Sequence, residues 1–193
     1  MIPRHLIIGV VVMLLVVLAM GLYLRHMSRA AADMQRLASD TRPVAPPPSG
    51  PTETVTLYLA DDASGTVRAE PAQIPLPGGR QQRAEELVRA LLNRYTQSNS
   101  THPLAASADL RSVYLIDPGV AVVDMNAAFA DQHRSGILIE QLTVDSLVQT
   151  LATNVQGINR VRILIEGDTR ETLAGHADLT NFFDVQAVAQ NVP

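Results

Sequence analysis

Three histidines, His102, His133 and His176, are of a residue type that could do chemistry. Imidazole can serve general acid–base catalysis or hold a metal ion. Their spacing supports neither, because no HxH or HExxH pair sets two ligands on one helix face. The sequence therefore reads them as surface or loop histidines and does not fix their separation in space. Asp61-Asp62 closes an extended run, where a cation could sit, and reads more simply as a solvated turn. Asp124, two residues before Asn126, is placed to accept hydrogen bonds from backbone amides at a strand exit. Ser146 lies in a helical stretch without a GxSxG nucleophile elbow. Glu166 and Asp168 are spaced to point the same way from a strand end, as a carboxylate pair for glycoside hydrolysis would, but Gly167 between them marks a turn. Gly78-Gly79 belongs to neither phosphate-loop pattern. No residue is assigned to catalysis, to a cofactor or to a metal. Arg160 and Arg162 alternate with Val161, Ile163 and Ile165, so both fall on one strand face and form the candidate interface. Glu166, Asp168 and Glu171 are candidate partners for them.

The elements that would carry these residues follow a membrane-anchor pattern. Leu6 to Leu24 is an uncharged run of 19 residues, bounded by Arg4 and Arg25. At ~1.5 Å per residue it spans ~28 Å, close to the ~30 Å hydrocarbon core of a bilayer. Signal-peptide apolar cores run to about 15 residues, so an uncleaved transmembrane anchor over residues 1–30 is expected. The flanking arginines slightly favour a cytoplasmic C-terminus. Residues 31–53 form a linker whose Pro43–Pro51 segment (PVAPPPSGP) suits a polyproline II spacer better than a recognition ligand.

The 15 basic residues are all arginine, and there is no cysteine, so disulfides and thiolate metal sites are excluded. Residues 1–52 carry five Arg and two Asp, a charge of +3, against ten Arg and 17 carboxylates, or −7, for the rest, giving −4 in total. A −7 domain repels phosphate backbones, which argues against nucleic acid.

Within residues 54–184, period-two patterning marks strands at 54–60 and, weakened by Pro71 and Pro75, at 67–76. A helix follows from Arg83 to about Gln97. Leu110–Ile116, the turn Asp117-Pro118-Gly119 and Val120–Met125 make the clearest hairpin. A loop runs from Asn126 to Gly136, then a second helix over Ile137–Asn154, a strand over Arg160–Glu166 and a frayed tail over 185–193. The order β-β-α-β-β-α-β predicts an α+β fold in which two helices cover one face of a mixed β-sheet.

Three stretches together resemble the GerMN domain family: VTLYLAD at 55–61, SVYLIDPGVAVVDMNAAFA at 112–130, and DSLVQTLATNVQGINRVRILIEGDTRETLAGHADLT at 145–180. The resemblance implies a fold similar to ring-building motif domains and a position outside the cytoplasmic membrane. It also implies a role in assembly or cell-envelope function, with sporulation and germination in view, rather than catalysis. That address outweighs the small arginine imbalance and places the C-terminal domain extracytoplasmically, on a single-pass anchor. The chain departs from the family's namesake in having one copy of the domain and a membrane helix in place of a lipidated cysteine. The expected partners are the membrane, other copies of the chain and other envelope proteins. A module binding peptidoglycan or a small polar ligand is the alternative, although seven aromatic residues without tryptophan make a poor sugar platform. A hydrolase is the weakest reading.

Overall fold

The structure, a computed structural model, describes residues 50–190. The expected anchor at Leu6–Leu24, most of the linker and the last three residues of the tail lie outside them. Among the described residues no helix is long and apolar enough to cross a membrane.

Two sheets replace the single mixed sheet expected. β1 (Thr52–Asp61) and β2 (Thr66–Pro75) form an antiparallel two-stranded sheet of their own, pairing Thr52 with Pro75 through to Asp61 with Thr66. Pro71 and Pro75 do not interrupt the ladder, because β2 is an edge strand and its prolines have no second neighbour to supply with N–H groups. The second sheet has the order β3 (Leu110–Ile116), β4 (Val120–Met125), β5 (Arg160–Ile165) and β6 (Phe183–Asp184). It is mixed, as expected: β3–β4 and β5–β6 are antiparallel, and β4–β5 is parallel.

α1 (Arg80–Tyr95) packs on the inner face of this sheet at β3, and α3 (Ile137–Asn154) packs against α1 and against β1. Val113, Val123 and Ile163 share one row of that face, all 0% exposed, and Ala121 and Val161 share the next. α1 is amphipathic, burying Ala84, Leu87, Val88, Leu91, Leu92 and Tyr95, and it contacts strands of both sheets. α3 is not: every residue from Leu142 to Leu151 is buried.

Two short helices were not expected. α2 (Ala127–Asp131) occupies part of the expected Asn126–Gly136 loop, started by Asn126, whose side chain accepts from the Phe129 amide. α4 (Val185–Ala189) stands at the start of the supposed tail, capped by Asp184, with Val188 buried against the core.

Candidate functional site

The polar residues of α3 explain its buried circumference. Ser146, Thr150 and Asn154 recur every four residues and meet the free edge of β1. The Thr56 amide donates to Asn154 Oδ1 at 3.1 Å, and Asn154 Nδ2 donates to the Thr56 carbonyl at 2.6 Å. The Tyr58 amide donates to Thr150 Oγ1 at 2.9 Å, and Ser146 Oγ donates to the Tyr58 carbonyl. Beyond them the Ala60 amide donates to the Tyr95 hydroxyl at 2.8 Å, and Thr101 donates to the Ala60 carbonyl at 2.8 Å. Four helical residues rise ~6.0 Å and two strand residues ~6.6 Å, so the polar stripe keeps step with every second residue of β1. The edge is thus sealed by side chains instead of a strand.

A second network lies at the end of this stripe. His102 and His133 lie in loops, as one of the two readings had it, but they are 0% and 8% exposed, so the surface reading is overturned for both. His102 Nδ1 lies 2.5 Å from Asp62 Oδ1, and His102 Nε2 lies 2.7 Å from Thr143 Oγ1. His133 Nε2 reaches the same Thr143 oxygen at 2.8 Å, and its Nδ1 is 2.7 Å from the Arg134 carbonyl. Asp62 also pairs with the Arg134 guanidinium, so it is an anchored ion and not a solvated turn residue. Burial would raise the Asp62 pKa, but Arg134 and His102 outweigh it and bring it down. Burial pulls both histidines below their ordinary range, partly opposed at His102 by Asp62.

Aspartate, histidine and a hydroxyl stand here in the order of a nucleophilic triad. Access is what they lack. Thr143 is 2% exposed, and the cavity beside it is about 10 Å³, lined by Leu91, Leu92, Leu104, Met125, Phe129 and Leu147 among others. Such a space holds at most a single water, so no acyl substrate reaches the hydroxyl.

His176 belongs to a separate cluster. Glu140, 0% exposed, accepts from His176 Nδ1 at 2.9 Å and from the amides of Gly136, Ala174, His176 and Ala177. Burial would raise its pKa; these donors bring it down to about 2. The carboxylate ties the N-terminus of α3 to the 174–177 loop. Sequence reasoning missed both Glu140 and Thr143, which nothing local distinguishes from the other polar residues of α3.

The other candidates resolve as structural groups. Asp124 accepts from the Gly167 amide at 2.7 Å, as expected of a strand exit. Glu166 and Asp168 do not act as a pair: Glu166 turns to Arg111 at 3.0 Å and to the Ala127 amide at 2.8 Å, while Asp168 closes a backbone bridge to Ile165. Ser146 meets the Tyr95 hydroxyl at 2.5 Å and no histidine. Gly78 donates to Gln82 at the start of α1. Among the described residues no three His, Asp or Glu side chains converge to hold a metal ion.

Arg160 and Arg162 do share a face. On the outer side of the sheet, Tyr114, Val122 and Arg162 form one row, and Ile116, Val120 and Arg160 form the next. Tyr114 and Ile116 are 51% and 53% exposed. The carboxylates expected to pair with the arginines do not. Both guanidinium groups lie 5.2 Å from the centre of the Phe182 ring, and Arg162 donates to Thr169 at 3.0 Å. Along the adjoining edge, no hydrogen bond outside the β3–β4 ladder reaches the backbone of residues 111–116 among the described residues.

The fold is similar to tandem GerMN domains of the sporulation protein GerM from Bacillus subtilis, at 22% identity and a TM-score of 0.53, covering 71% of this chain and 48% of that one. The first GerMN domain of that protein aligns at 21% identity over 67% of this chain and 94% of the other, with a TM-score of 0.44. A chain described as a lipoprotein from Clostridium perfringens aligns at 21% identity over 78% and 98%, with a TM-score of 0.49. This chain spans about half the length of the tandem structure. No curated protein matches the sequence significantly. The Germane family, described as "Sporulation and spore germination", matches residues 56–171, from the middle of β1 to beyond β5. With more than half its length inside that match, the chain belongs to the Germane family, the family of GerMN-like domains.

Proposed function

We propose that this chain is a non-catalytic, membrane-anchored cell-envelope protein. Its GerMN-like domain mediates assembly outside the cytoplasmic membrane, in sporulation, germination or envelope morphogenesis. The single observation that supports this reading is the uncovered outer face of the four-stranded sheet. It combines half-exposed Tyr114 and Ile116 with two arginines that have no carboxylate partner among the described residues, on a domain whose charge from residue 53 onward is −7. A positive, partly apolar face on an acidic body is complementary to the acidic surface of a second copy. Contacts of that kind are head-to-tail and build rings or filaments. The anchor confines copies to a plane and raises their local concentration. The peptidoglycan alternative has less behind it: the open concavity of about 550 Å³ lined by Arg80, Asp117, Gln156 and Asn159 among others has no aromatic ring for a sugar to stack on.

The test uses the full chain in its membrane, with a photo-crosslinking residue in place of Tyr114. Adducts at multiples of the chain mass, lost when Arg160→Glu and Arg162→Glu are combined, are expected. Adducts to a different protein would leave assembly standing and remove self-association. An absence of protein adducts, together with saturable binding to purified cell wall, would replace assembly with the ligand-binding reading.

A further inference from the structure

The His102–Thr143–His133 bridge poses a question of proton count. Asp62 is an ionised acceptor, so the His102 Nδ1 that faces it carries a hydrogen. The Arg134 carbonyl is also an acceptor, so the His133 Nδ1 that faces it carries one too. Both rings then present Nε2 to one hydroxyl oxygen, at 2.7 and 2.8 Å. A threonine hydroxyl has a single hydrogen to give.

With both rings neutral, Thr143 donates to one Nε2 and the other contact sets a lone pair against a lone pair. With one ring protonated, every contact is matched. The charged ring donates to Thr143 Oγ1, and Thr143 donates to the neutral ring. With both protonated, both rings donate to Thr143, and its hydrogen turns to the Ile139 carbonyl, 3.1 Å away. That state sets two imidazolium rings 6.2 Å apart, beside the Arg134 guanidinium.

We propose that His102 and His133 form a single-proton lock across Thr143: the pair takes up one proton on mild acidification, resists the second, and is most tightly closed with one bound. The groups facing it support this count. On the His102 side are Asp62 and Arg134, paired with each other, and the edge of Tyr95 at 4.9 Å. The Tyr95 hydroxyl, pushed up by burial to about 12, stays neutral. On the His133 side are Phe129 at 6.2 Å and, further along α3, Glu140, whose charge is already held by His176 and four amides. One imidazolium is thus compensated directly by Asp62; a second would meet only the charge of Glu140, with no hydrogen bond to it, against the first imidazolium and Arg134.

The lock joins four segments: Asp62 from the β1–β2 turn, His102 from the α1–β3 loop, His133 and Arg134 from the α2–α3 loop, and Thr143 from α3. Its closure therefore sets how firmly the α1–β3 and α2–α3 loops are held to the central helix. On an extracytoplasmic domain, as proposed above, that firmness follows the pH of the surroundings.

The test is a pH titration of the full chain in lipid nanodiscs with 15N-labelled histidine, His5→Gln and His26→Gln simplifying the spectrum. Both buried rings are expected to keep hydrogen on Nδ1 throughout, and one proton is expected to enter well before the other. Thr143→Val should lower the first step by about one pH unit or more, and Thr143→Ser should restore it. Resistance of the two loops to proteolysis should peak between the two steps in the parent chain. Two rings that titrate together, a ring with hydrogen on Nε2 when neutral, or a first step unmoved by Thr143→Val in a folded protein would each overturn the proposal.

Discussion

The side-chain amide of Asn154 takes both backbone groups of Thr56, accepting from its N–H at 3.1 Å and donating to its carbonyl at 2.6 Å. One helical residue thereby stands in for one residue of a neighbouring strand. With Thr150 and Ser146 it converts an open strand edge into a buried seam. Asn154→Ala is expected to leave both Thr56 groups without a protein partner and to destabilise the domain by about 1–3 kcal/mol. Asn154→Asp keeps the acceptor but loses the donor, so it should also destabilise. Urea midpoints, with the slope unchanged, are the measurement.

Gly119 joins the β3–β4 turn to the loop between α3 and β5. Its carbonyl accepts from the amides of Asn159 at 2.8 Å and Arg160 at 3.2 Å. A Cβ at this position would lie 2.4 Å from the Gly157 carbonyl oxygen and 2.8 Å from Asn159 Nδ2, and φ is +84°. Gly119→Ala combines strain at positive φ with a backbone clash, each costing on the order of 1–3 kcal/mol. The variant should melt well below the parent. Gly79→Ala, where a Cβ meets nothing within 4 Å, should stay within about 0.5 kcal/mol.

These elements differ in how far the sequence revealed them. The Leu110–Met125 hairpin and the Ile137–Asn154 helix were legible because period and turn chemistry are local. The division into two sheets was not, because it depends on what meets the edge of β1. That edge is met by Ser146, Thr150 and Asn154, 88 to 98 residues distant along the chain. The shared face of Arg160 and Arg162 followed from strand alternation, whereas their neighbour Phe182 comes from a segment that carries no periodic signal. The histidines were misread for the same reason. His102 and His133 are 31 positions apart, and what brings them together is one threonine among several polar residues of α3, with nothing local to single it out.

Arg160 and Arg162 should matter little to stability. They are surface side chains over Phe182, and a cation–π contact at an exposed site contributes about 0.5–1 kcal/mol. Phe182→Ala is therefore expected to lower stability by about 1 kcal/mol at most and to leave the domain folded. Both Arg→Glu changes should give a near-parental melting curve. A large loss of stability in either arginine variant would show these groups hold the fold together, and would weaken their assignment to an interface.

Glu140 carries the opposite expectation. It is fully buried, and its partners hold its pKa at about 2, below the 4.5 of the free group. A carboxylate whose folded value is depressed adds stability that is complete above the unfolded value and drains away as pH falls toward the folded one. The domain should therefore lose stability steadily between about pH 4.5 and 2. Glu140→Gln cannot accept from four amides and an imidazole with one carbonyl oxygen, and its NH₂ faces donors. It should cost about 2–4 kcal/mol at neutral pH. Because the titrating group is gone, the variant should also lose stability less steeply than the parent over that same acid range. Denaturant midpoints for both proteins at pH 7, 4.5 and 3 separate the two effects. Parallel curves displaced by a constant amount would mean that the acid sensitivity arises elsewhere and that Glu140 is held by packing more than by its charge.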